Sequence, residues 1–255
     1  MDYILEIAKL GTIIIIGLIG AFLVFGFIIG EIQKESNKYI VRIFGEKGIF
    51  IVHAIGTPIH ELSHLLMCLL FGHKVKEIKL FRPIASKSDG VLGYVKSSSN
   101  TKNIYQNIGN FFIGAAPLFI GGVIIFLAMF LFLPESLRIV LGSSSLSIKL
   151  TVKTIFSLYN IKTIRFWIFI FITIGISTSM SLSKEDIMTS KRGALYLAIL
   201  SYFVAFVIIV FNINTVAIFK FLKVYNYIFI SIFLIGTISS ICTFLLVKII
   251  SFIKF

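Results

Sequence analysis

What most constrains this chain is a series of apolar runs close to the length of a membrane crossing. About 20 helical residues span about 30 Å of hydrocarbon. Six segments approach or exceed that length: Ile4–Ile29, Ile49–Phe71, Ile108–Leu133, Phe166–Met180, Ala194–Phe211 and Tyr225–Ile250. In lipid no water reaches the peptide groups, so each run must satisfy its own hydrogen bonds, and a helix does so within one segment. We therefore expect an all-α membrane protein with about six transmembrane helices, residues 1–255 forming a single multi-pass integral membrane domain with both termini on one side. The first run is too long for a signal peptide and has no A-x-A-like exit, which marks it as a retained span. A composition 58% hydrophobic and 14% charged excludes an ordinary soluble domain, in which about 25% of residues are charged.

The formal charge of +13 points to anionic lipid headgroups rather than nucleic acid. The 24 Lys and Arg fall in the short stretches between apolar runs, and no aromatic-basic nucleic-acid motif accompanies them. Cys68 and Cys242 sit inside apolar runs and suggest no disulfide framework. Two connecting stretches carry a pattern. Lys74–Phe81 alternates polar and apolar residues, Asp89-Gly90 supplies a turn, and Val91–Val95 returns, which reads as a small β-hairpin at the membrane interface. Leu137–Ile164 spaces its apolar residues like an amphipathic helix lying on the bilayer.

The second run contains His60-Glu61-Leu62-Ser63-His64, an H-E-x-x-H. One helical turn separates the two histidines, so both imidazoles project from one face and can reach a single Zn²⁺ at about 2.0–2.1 Å. Glu61 stands beside that face, where its carboxylate can accept a proton from water without itself ligating. Three ionisable groups within five positions of a membrane helix each cost about 2.5–3.5 kcal/mol at mid-bilayer, which favours a selected function over a cluster that merely bonds to itself. For His53 and His73, an interfacial or helix-end role suffices.

A catalytic zinc takes a third protein ligand. The chain has three Asp: Asp2, Asp89 and Asp186. An Asp-Gly turn explains Asp89 fully. Asp186 lies in a polar break that could fold back on the second run, although Ser183-Lys-Glu-Asp186 also has the spacing of a capping box that would simply start a helix. Residues alone leave Asp186, Asp89, Glu185 and a water open. In the third run, Gly114, Ala115, Ala116, Gly121 and Gly122 suit close helix packing, and Pro117 suits a kink.

An H-E-x-x-H inside a membrane run, followed by a hairpin, a span with small residues and Pro, and a later Asp, resembles the site-2 protease family of intramembrane zinc metalloproteases. The resemblance covers about Ile49–Ile187, a protease-like core over residues 49–187, and its specific part is His60-Glu61-x-x-His64. It implies His60 and His64 as zinc ligands, Asp186 as the third, and Glu61 as the catalytic acid/base. Asp186 is followed by Ile187 where the family has Gly, and Gly114-Ala-Ala-Pro117 with Asn110 only loosely echoes its Gly-Pro…Asn. The loops are too short for a PDZ or CBS domain.

The function so implied is zinc-dependent hydrolysis of a peptide bond in a membrane protein or peptide substrate. The family places it in a bacterial plasma membrane with the zinc site opening toward the cytoplasm, so that cysteines at Ser98 and Ser190 would be shielded from an external reagent and one at Ser144 labelled. Two rivals are a protease-like membrane protein that binds, as an immunity protein does, without cutting, and a metal or solute transporter. Intact Glu61 speaks against the first, and the lack of repeated halves against the second.

Overall fold

The computed structural model describes residues 2–142 and 148–254. A helix α1 (Asp2–Leu70) is followed by β1 (Lys74–Lys79), the short turn α2 (Ser86–Asp89) and β2 (Tyr94–Ser98). Then come α3 (Ile104–Gly114), α4 (Ala116–Phe132), α5 (Pro134–Gly142), α6 (Ile148–Ile155), α7 (Leu158–Ile161), α8 (Ile164–Ser179), α9 (Lys184–Val210) and α10 (Val216–Lys254).

α1 is broken twice. Gly45 adopts φ 66°, a left-handed conformation that stops the helix and turns the chain back on itself. His53 Nε2 consequently lies 3.2 Å from Asn37 Oδ1 on the arm it has just left. The returning arm bends again by 50° between Lys47–Ala54 and Gly56–Leu70. Pro58 explains that bend, because it has no N–H to offer the carbonyl of Ala54 one turn earlier.

Among the described residues three helices are long and apolar enough to cross a membrane: Tyr3–Gly45, Lys184–Val210 and Val216–Lys254. Two bent pairs, Lys47–Ala54 with Gly56–Leu70 and Ile104–Gly114 with Ala116–Phe132, bring the number to five. The expected count of six is not reproduced, because α8 has 16 residues and reaches only about 24 Å. Tyr3–Gly45 extends about 65 Å, twice the hydrocarbon thickness, and its exposed end carries the pairs Glu31–Lys34 and Glu35–Lys38.

Helix directions follow from contacts along the bundle. Asn226 Nδ2 donates to Gly17 O (2.8 Å), Gln33 Nε2 to Ser240 Oγ (3.2 Å) and Lys254 Nζ to Ile43 O (2.6 Å), so α10 runs parallel to the first arm of α1. α9 runs the other way, since Tyr202 packs on Gly11 and Leu182 on Gly26. α8 also opposes α10: Met180 touches Gly236, while Phe166–Ile174 share an apolar groove with Ile238–Ile249. α8 and α9 are therefore stacked pieces of one passage, interrupted at Met180–Ser183. This corrects the expectation that both termini share a side, because Asp2 and Lys254 lie at opposite ends of the bundle.

Apolar faces are already in lipid, so packing and hydrogen bonds, not apolar burial, hold such helices together. Phe22 forms the centre of the packing, stacked on Phe119 at 3.9 Å between centroids and edge-on to Phe111 and Phe233. The glycines of the third run act as their spacing suggests, Gly121 admitting Met180 and Gly122 admitting Ile232. Pro117 stands in the first turn of α4, after a 62° break at Ala115, and starts a helix instead of kinking one.

The hairpin forms as expected, antiparallel, with Val75 opposite Ser97 and Ile78 opposite Val95. Val91–Gly93 precede β2 rather than belong to it. Leu137–Ile164 is not one amphipathic helix. It contains α5, α6 and α7, and buried Asn160 ties them together by donating to Ser136 Oγ, Thr154 O and Ile155 O. Ser144 lies outside the described residues. Ser190 is buried against α3, which removes it as a surface reporter.

Candidate metal centre

The Gly56–Leu70 arm carries both histidines, and their one-turn spacing brings the two Nε2 atoms 3.0 Å apart. Each ring is held from behind. His60 Nδ1 donates to Ser179 O (2.9 Å), a carbonyl at the end of α8, and His64 Nδ1 donates to Ile113 O (2.8 Å) near the end of α3. With Nδ1 donating to a carbonyl, each imidazole when neutral turns its Nε2 lone pair inward.

Asp186 enters from the first turn of α9. Its Oδ1 lies 3.1 Å from His64 Nε2 and its Oδ2 3.3 Å from His60 Nε2. The capping box is present as well: Ser183 N donates to Asp186 Oδ2 (2.8 Å) and Asp186 N to Ser183 Oγ (3.1 Å). The cap does not take Asp186 away from the histidines, since Oδ1 is left over to face His64 and Oδ2 faces His60 while it accepts from Ser183. Glycine makes the approach possible. A Cβ on Gly114 would collide with the backbone of Asp186, and one on Gly193 with the backbone of Phe111.

The ligand atoms of His60, His64 and Asp186 all lie within 4.8 Å of one another, and this group could hold a metal ion. Ligands at about 2.0–2.1 Å from a tetrahedral ion are about 3.3–3.4 Å apart. The two Nε2 atoms are 3.0 Å apart, a little under such an edge, and each faces a different oxygen of Asp186, Oδ1 at 3.1 Å and Oδ2 at 3.3 Å. Two neutral imidazoles and a carboxylate facing one another in a buried site repel unless a positive charge, a metal ion or a proton, stands among them.

Glu61 is 6% exposed, and its carboxylate has no hydrogen-bond partner among the described residues. It borders a cavity of about 900 Å³ that it shares with His60, His64 and Asp186. The opposite wall is the hairpin: Val91–Ser97 line the cavity consecutively whereas β1 does not reach it, so β2 presents its backbone edge to the metal group.

Asp89 is not brought to the group. It belongs to the turn, where it accepts from Val91 N (2.9 Å) and pairs with Arg82 (3.0 Å), and these bonds, the Val91 N–H foremost, hold its carboxyl below the usual carboxylate range. Glu185 lines the cavity without joining the group. His73, just after α1, is buried with Nε2 2.9 Å from Gln106 O in the first turn of α3. Sequence reasoning missed the carbonyls of Ser179 and Ile113, which carry no residue-type signal. It also missed Gly93 and Pro58. A proline two residues before the motif was a usable sign that the helix bends there. No family model, curated protein or solved structure matches the chain.

Proposed function

We propose that the chain is an intramembrane zinc metalloprotease of the site-2 type, cleaving a membrane protein or peptide in a bacterial plasma membrane with its cavity reached from the cytoplasm. The observation that carries this reading is the pairing of two inward-facing Nε2 atoms and a carboxylate with an unpartnered Glu61 in one cavity. A two-nitrogen, one-oxygen donor set suits Zn²⁺ with one position open. Bound there, Zn²⁺ supplies the electrophile that acidifies water and polarises a peptide carbonyl.

The chain's own groups do the rest. Ser179 O and Ile113 O fix the imidazole tautomers, and the α9 cap holds Asp186 in reach. Glu61 takes a proton from the attacking water and passes it to the amide nitrogen as the C–N bond breaks, leaving a carboxylic acid and an amine. A helical substrate hides its carbonyls in its own hydrogen bonds and must be unwound first. The free edge of β2 can take the unwound segment as an added strand. Replacing Val91–Val95 by proline-bearing sequence should impair cleavage far more than metal content; equal loss of both would make the hairpin merely structural.

Metal content of purified wild type tests the reading, measured beside His60→Ala, His64→Ala and Glu61→Gln. Either histidine variant should lose nearly all metal, whereas Glu61→Gln should keep it and lose turnover. Activity retained by Glu61→Gln sinks the mechanism. Wild type that binds zinc but cuts nothing points to the binding protein, and altered metal flux points to the transporter.

A further inference from the structure

We infer that Gly93 is a positioning residue for Glu61: the backbone of the hairpin at this one point rests on the Glu61 side chain and fixes where its carboxylate stands. The inference rests on the protease reading for its kinetic arm and on geometry alone for the other. A Cβ built on Gly93 would lie 2.8 Å from Glu61 Cγ, 2.9 Å from Leu80 O and 3.0 Å from Lys79 O. Two of these neighbours are carbonyls of the partner strand's end, which cannot yield without moving the hairpin. The third is the methylene that carries the Glu61 carboxylate.

Gly93 precedes β2, and Arg82 N donates to Leu92 O (2.7 Å), which ties the backbone beside it to the other limb of the hairpin. Among the described residues the Glu61 carboxylate has no hydrogen-bond partner, and packing is what holds it. No φ in the left-handed range is recorded for Gly93, so the need for glycine here is one of space and not of backbone conformation. The hairpin thus serves Glu61 as well as substrate: a strand added at β2 forms beside the peptide unit that sets the acid/base. His60, His64 and Asp186 are held through Ser179, Ile113 and Ser183 and do not depend on this contact.

The proposal predicts a separation of effects. Gly93→Ala should bind Co²⁺ or Zn²⁺ like wild type, keep KM within about threefold, and lose about 10–100-fold in kcat on a membrane peptide that wild type cleaves, the scale of a 1 Å misplacement. A second arm needs neither metal nor cleavage. In a Cys68→Ala, Cys242→Ser background, the pair Glu61→Cys with Gly93→Cys places a sulfur near the present Cγ, close to the spacing of a disulfide. Mild oxidation should cross-link it in full-length protein, whereas Glu61→Cys with Val91→Cys should stay reduced. A missing cross-link or a wild-type kcat in Gly93→Ala overturns the inference. If wild type cleaves nothing, the protease reading fails and the cross-link still judges the contact.

Discussion

Asp186 uses one carboxylate for two purposes. Oδ2 accepts the Ser183 N–H that closes the cap of α9, and the same group faces both histidines. An amide at this position keeps an acceptor for the cap and loses the charge. Asp186→Asn should therefore lower metal affinity by more than the 10–100-fold typical of an outer-shell loss, with α9 intact. Asp186→Ala should lose metal and, in addition, a few tenths to about 1 kcal/mol of stability from the missing cap. Metal titration and denaturant unfolding of the pair check this, and Asp89→Ala should alter neither the affinity nor the cap. The motif itself was legible in sequence because i,i+4 geometry is local. Asp186 was legible only as one candidate among several, since what brings α9 to the histidines is Gly114 against Asp186 and Gly193 against Phe111, contacts between helices distant in the chain.

Elements were readable by length and pattern but not by direction. Phe166–Met180 and Ala194–Phe211 both look like spans, and hydropathy carries no information on whether two neighbouring apolar runs reverse or continue. The contacts of Met180 with Gly236 and of Leu182 with Gly26 make them consecutive. Close packing at this level also has a consequence for the metal. Gly114→Ala should weaken metal binding although no ligand is removed, because the added methyl displaces the backbone of Asp186. Gly122→Ala, whose methyl meets only side chains, Ile232 at 3.3 Å and Phe233 at 3.7 Å, should bind metal normally. In the hairpin, Glu77 accepts from the Tyr94 hydroxyl and from Lys96 (2.9 Å), and these bonds, Tyr94 first, hold its carboxyl below the usual glutamate range. A depressed carboxyl stabilises above its unfolded value and ceases to as pH falls through the lower folded one. Amide protection in β2, relative to the intrinsic exchange rate at each pH, should therefore fall as pH drops below about 4, and Glu77→Gln should remove that step.

At the scale of the molecule, the parallel pairing of α1 with α10 sets the two termini apart. A tag at the amino terminus and a Thr101→Cys label after the hairpin should report the same side of the membrane, the cytoplasmic one under the proposed reading. A carboxy-terminal tag should report the other side. Accessibility of all three in intact cells checks the arrangement, and matching sides for the two termini would contradict it. The pairing also bears on synthesis. Leu18 O waits for the Tyr225 hydroxyl and Gly17 O for the Asn226 amide, partners 207 and 209 residues later. At about 5–20 residues per second, that is about 10–40 s during which the first helix sits in lipid without the neighbour that lines its length. The first segment made is thus the last to be completed, and a chain cut short before Val216 leaves Gly17 O and Leu18 O without these partners.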